Sequence, residues 1–141
     1  MIAYFDTSAV IPLIIEEPST AVCLRLWNEA SRVVSVRLLY AEACAALAMA
    51  HRLDRLTAKQ LDRAVGALDE LVAELHHVEV TDELVRVAGE LARTHGLRGY
   101  DAVHLAAGLS VSDDEVVLVT GDLGLAAAAQ NSAVAVAVTN T

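Results

Sequence analysis

The chain has 141 residues, room for one domain and not for two cores of ordinary size. It is 55% hydrophobic but only 4% aromatic, so Ala, Val and Leu carry the apolar load, and no apolar run reaches membrane-spanning length. With 19 acidic against 10 basic residues the net charge is −9, which excludes the basic footprint of an ordinary nucleic-acid binder.

The start, Ile2 to Phe5, is an apolar β run with no basic region before it, so neither a signal peptide nor an anchor is expected. Asp6-Thr7-Ser8 follows as a helix-start signal, since short polar side chains cap free amides. Ala9 to Ile15 is short and apolar, and Pro12 limits where a regular helix begins. Glu16-Glu17-Pro18-Ser19 is a break. Thr20 to Ala30 reads as a helix and Val33 to Val36 as a second strand. Leu38 to Leu53 is an Ala-rich helix. Thr57 opens a long amphipathic helix to Leu75, with Leu61, Val65, Leu68, Leu71 and Val72 at helical spacing.

Val78-Glu79-Val80 is expected as a short third strand. Thr81-Asp82-Glu83 starts the next helix and Gly96 ends it. Leu97-Arg98-Gly99 is a linker, Tyr100 to Leu109 a helix, and Ser112-Asp113-Asp114 a loop. Val116 to Val119 is a strand, Gly121-Asp122 a turn, Leu123 to Gln130 a helix and Ala133 to Val138 a last strand. Short apolar strands alternating with helices indicate an α/β fold around a mostly parallel sheet. Such sheets bind ligands at the carboxyl ends of their strands. Cys23 and Cys44 fall in helical apolar patterns and are expected as small buried thiols in a reducing compartment.

Most of the acidic residues look like solvated surface. Asp6, Glu42, Asp101 and Asp122 do not. Asp6 directly follows the first strand, where a helix cap is the alternative role. Glu42 has Leu38, Leu39, Ala45 and Ala46 at three and four residues' distance, so its carboxylate loses hydration on an apolar face. Compensation comes either from a cation such as nearby Arg37 or from a metal ion. Asp101 opens an apolar helix, a position the helix dipole also favours. His104 shares its face and is read as a hydrogen-bonded helix histidine rather than a ligand or base. Asp122 ends a strand in a Gly-Asp turn, and Thr120 stands beside it.

Parallel α/β connections can bring all four acids to one edge of the sheet. Four ionised carboxylates share so small a space only with counter-charge. Oxygen-only donors select hard ions, so magnesium or manganese is expected rather than zinc. Such ions activate water and stabilise both oxygens of a phosphodiester displacement. Bound dications also reverse the local field of an otherwise acidic chain.

These residues carry a family resemblance. Tyr4-Phe-Asp-Thr-Ser-Ala-Val, Tyr40-Ala-Glu, Gly96-Leu-Arg-Gly-Tyr-Asp-Ala-Val-His-Leu-Ala and Val119-Thr-Gly-Asp resemble the motifs of PIN-domain ribonucleases. The likeness is nearest to the VapC toxins of bacterial and archaeal toxin–antitoxin pairs. It extends over essentially residues 1–141, and Gly121 between Thr120 and Asp122 is its one departure. It implies a PIN-like fold with a five-stranded parallel sheet between helices. It implies Asp6, Glu42, Asp101 and Asp122 as the metal site, with Thr7 and Thr120 as supporting hydroxyls. It further implies Mg2+ or Mn2+ dependence, endonucleolytic cleavage of RNA, a homodimer and a cognate VapB-like antitoxin, while the apolar pattern and the cysteines lead to the expectation of a cytoplasmic location without membrane contact. Arg37 and Arg98 flank the motifs and are candidates for phosphate contact. A phosphoacceptor domain would need a lysine after a late strand, and the single lysine, Lys59, falls in a surface helix. The remaining alternatives are a non-catalytic acidic domain binding a metal or a basic partner, and a nuclease of the same kind acting on another nucleic acid.

Overall fold

The structure, a computed structural model, describes residues 1–111 and 115–140. The loop expected at Ser112-Asp113-Asp114 lies outside the described residues. The described elements run β1 (Ile2–Phe5), α1 (Thr7–Ile14), α2 (Thr20–Glu29), β2 (Arg32–Val36), α3 (Leu39–Arg52), α4 (Ala58–Glu74), β3 (His76–Val78), α5 (Asp82–His95), α6 (Gly99–Ser110), β4 (Val116–Thr120), α7 (Leu123–Asn131) and β5 (Ala135–Val138).

Strand residues alternate between two faces, and the two faces hold separate cores. Tyr4, Val34, Val36 and Leu118 pack with Leu84 and Ala88 of α5, Leu105 of α6 and Leu125 of α7. Ala3, Phe5, Val33 and Val119 face the other way, onto Val10, Cys23, Leu39, Leu47 and Leu68 of α1 to α4. Because both faces are covered, β1 reads as an unbroken apolar run and is buried throughout. The order is β3-β2-β1-β4-β5 and every pairing is parallel. The expected α/β class and five-stranded sheet therefore hold, with the sheet wholly parallel. Among the described residues no helix is long and apolar enough to cross a membrane.

Two elements differ from the sequence reading. The third strand lies at His76–Val78, not Val78 to Val80, because Val34 pairs with His76 and Val36 with Val78. Val80 is left exposed. The first helix begins at Thr7 and carries Pro12 inside it, because the Asp6 side chain accepts from the Ala9 amide and sets the helix start upstream of the proline. Gly96 ends α5 at φ 66°, a left-handed turn that favours glycine. Cys23 is a buried free thiol and Cys44 a half-buried one.

The chain leaves β1 toward β2 on one side and reaches β4 on the other. The carboxyl end of β1 is thus the point where the strand order diverges, the place where open α/β sheets form their crevice.

Candidate functional site

Asp6 stands at that point. It is the residue after β1, and its backbone amide bonds the Val119 carbonyl of β4. Only 4% of it is exposed. Its Oδ1 accepts from the Ser8 hydroxyl at 2.7 Å and the Ala9 amide at 3.1 Å. Its Oδ2 accepts from Thr120 Oγ1 at 2.6 Å. Burial pushes the Asp6 carboxyl above its ordinary value, against the pull of His104 and of the three donors. The helix-cap role expected of Asp6 is therefore present, and it uses only one of the two carboxylate oxygens.

Glu42 lies in the first turn of α3. Arg37 does not compensate it, as the sequence allowed. Arg37 instead forms an exposed bidentate pair with Glu79, Nη2 to Oε1 at 2.6 Å. The reason is register: the Arg37 amide bonds the Val78 carbonyl at the edge of the sheet, which places its side chain beside Glu79. Glu42 is served by two other groups. Thr7 Oγ1 donates to its Oε1 at 3.1 Å, and His104 Nε2 stands 2.7 Å from the same oxygen. A carboxylate only accepts, so the histidine nitrogen is the donor. The Tyr4 phenol oxygen lies 2.8 Å from His104 Nδ1. Sequence reasoning gave His104 a hydrogen-bonded role but had no signal for these partners, which lie 62 and 100 residues away.

Asp101 and Asp122 share one cation. Arg98 Nε donates to Asp101 Oδ2 at 2.9 Å, and Arg98 Nη2 to Asp122 Oδ2 at 3.3 Å. These two carboxylates hold the Arg98 guanidinium above its ordinary value. Asp122 Oδ1 also caps α7 through the Leu125 amide at 2.8 Å, and the Asp122 amide donates to Thr120 Oγ1 at 2.9 Å. Thr120 thereby joins Asp6 to Asp122, and Thr7 joins α1 to Glu42. Gly121 leaves room between them: a Cβ there would sit 3.3 Å from Thr139 Oγ1 and 3.5 Å from Ser8 Oγ.

As the side chains stand, Asp6, Asp101 and Asp122 are connected through Thr120 and Arg98, Glu42 is held separately by Thr7 and His104, and the four form no closed cage. Among the described residues no three His, Cys, Asp or Glu side chains are close enough together to hold a metal ion. The donor chemistry nonetheless fits a hard dication. All four groups offer oxygen, and among the described residues Glu42 Oε2 and Asp101 Oδ1 carry no hydrogen bond. The group that neutralises Asp101 and Asp122 is the Arg98 side chain, which is 80% exposed.

The pattern of the PIN domain family matches residues 3–136. Ribonuclease VapC45 of Mycobacterium tuberculosis (strain CDC 1551 / Oshkosh) is 40% identical over 121 residues, which is 86% of this chain and 84% of the relative. FitAcB from Neisseria gonorrhoeae aligns with a TM-score of 0.70 at 19% identity, over 99% of this chain and 98% of that one. The toxin–antitoxin complex from Klebsiella pneumoniae aligns with a TM-score of 0.63 at 15% identity, over 85% of this chain and 86% of that one. At such identities the two structures speak for the fold alone.

Proposed function

Because the chain belongs to the PIN-domain family and is related to the VapC ribonucleases, we propose that it is an endoribonuclease, the toxin of a toxin–antitoxin pair, with Asp6, Glu42, Asp101 and Asp122 as its Mg2+- or Mn2+-holding site. The observation that carries this reading is the pairing of 40% identity to a VapC ribonuclease with an acidic edge at the strand-order divergence. That kinship supports an RNA substrate and a VapB-like antitoxin, and a homodimer in the cytoplasm completes the proposal.

When bound, the dication supplies an activated water and neutralises charge on the scissile phosphate. The chain's own residues do the rest. Asp6 is fixed on both oxygens by Ser8, Thr120 and the Ala9 amide, so it meets a cation without reorganising. Glu42 commits Oε1 to Thr7 and His104 and leaves Oε2 for the cation. Asp101 offers Oδ1, and Asp122 completes the acidic edge from α7. Arg98, once released from the two aspartates, is the nearest exposed guanidinium for a phosphate oxygen. No side chain is needed as nucleophile. His104 is 2% exposed with both ring nitrogens engaged, so it does not act as a solvent-facing base.

The test is cleavage of RNA by the purified protein, free of antitoxin, with Mn2+ or Mg2+ and again with chelator. Metal-dependent internal cleavage is expected. Cleavage that survives chelation, or none with either ion, overturns the proposal.

A further inference from the structure

Tyr4 and His104 carry polar atoms into an apolar core, where each of those atoms needs a hydrogen-bond partner. Tyr4 sits in the central strand with no exposure, and His104 lies on α6 among Ala102, Leu105 and Ala106. Their rings meet edge to face at 5.8 Å between centroids. A buried imidazole carries a desolvation cost unless both nitrogens are satisfied. Here both are, and the chain of contacts points outward: Tyr4 Oη to His104 Nδ1 at 2.8 Å, then His104 Nε2 to Glu42 Oε1 at 2.7 Å.

We propose that Tyr4 and His104 form a positioning relay, in which the Tyr4 hydroxyl fixes the proton of His104 on Nε2 and that N–H holds Glu42 with Oε2 turned to the cation. The inference rests on the reading of Glu42 as a metal ligand and extends it to residues that touch neither cation nor substrate. The direction of the chain follows from donor and acceptor rules. Glu42 Oε1 accepts, so Nε2 carries hydrogen. In a neutral imidazole the other nitrogen, Nδ1, is then bare and accepts the phenol hydrogen across 2.8 Å. Thr7 Oγ1 donates to the same Oε1 and lies 3.3 Å from Nε2, closing the other side of the carboxylate. Two donors on one oxygen fix the rotation of the carboxylate, and the second oxygen is left uncommitted. Outer groups of this kind tune an inner ligand through orientation.

The test uses the metal-free protein and Mn2+ alone. Long-range proton–nitrogen NMR on the His104 ring reads the tautomer directly, and the Nε2–H form is expected. Tyr4→Phe keeps the ring that fills the core and removes only the hydroxyl. It should loosen the tautomer and weaken Mn2+ binding, read by calorimetry, by roughly 10- to 100-fold. His104→Gln returns an N–H to Oε1 and should bind Mn2+ within a few-fold of the wild type, whereas His104→Leu should not. That pair carries the comparison if Tyr4→Phe fails to fold. A wild-type proton on Nδ1, or Tyr4→Phe binding Mn2+ as tightly as the wild type, overturns the relay. A wild type that binds no Mn2+ overturns the functional reading instead, and the tautomer alone then decides the relay.

Discussion

Two parts of the acidic edge satisfy the same chemical group by opposite means. Asp6 is buried and held by hydroxyls and an amide, all of them fixed parts of α1 and β4. Asp101 Oδ2 and Asp122 Oδ2 are held by one exposed guanidinium, although Asp122 Oδ1 is also fixed by the Leu125 amide. Fixed neutral donors cost no charge of their own and cannot be displaced. A guanidinium is a competing cation that a metal ion or a phosphate can move aside. The difference separates a permanent half of the site from an exchangeable half.

The sharpest break of that comparison is Asp6→Asn. It keeps the shape and the cap at the Ala9 amide but removes the central negative charge. RNA cleavage should fall by more than about 100-fold, beyond the effect usual for replacing an outer partner of a ligand. Added Mn2+ should raise the melting temperature of the wild type and not that of the variant. Equal activity in the two proteins would remove Asp6 from the site.

Thr120→Val tests whether the permanent half is built by fixed donors. The substitution is isosteric but strips a donor from Asp6 Oδ2 and an acceptor from the Asp122 amide. It should destabilise the fold by about 1–3 kcal/mol in urea unfolding, the usual cost of orphaned buried groups. A neutral result would mean that water serves both atoms.

Arg98→Ala tests the exchangeable half. Removing the competing cation should tighten Mn2+ binding a few-fold while raising the KM for RNA, and unfolding should move little because the pair is exposed. Weaker Mn2+ binding would make Arg98 a structural part of the site.

The smallest effect is a pH dependence. Burial raises the Asp6 carboxyl above its ordinary carboxylate range. A carboxyl raised in the folded state adds stability while protonated, below its ordinary range, and that contribution is lost as pH rises through the folded value. Ionised Asp6 therefore opposes folding at neutral pH in metal-free protein. Asp6→Asn should melt slightly higher than the wild type at pH 7, and the gap should close as pH falls through the carboxylate range. A gap that widens on acidification would reverse the sign.

Much of this was legible in the chain. The alternation of short apolar strands with helices declared the α/β class, and acids at strand ends declared the edge. Glu42 stood out because its helical neighbours are apolar. What periodicity does not encode is which distant group answers a buried charge. Arg37 is five residues from Glu42, yet strand register commits it to Glu79, and the answer comes from His104 on α6. The position of β3 was missed for a related reason. Two histidines make an unpromising strand, and only pairing with Val34 and Val36 selects His76–Val78 over the more apolar Val78 to Val80.

The strand order carries one last consequence, for synthesis. β1 emerges first, but its neighbour β4 does not exist until residue 120, and the Thr120 hydroxyl that completes the Asp6 cradle lies 114 residues downstream. Chains leave the ribosome over several seconds and fold as whole units. A nascent or prematurely terminated copy therefore lacks an assembled acidic edge until almost its full length is out.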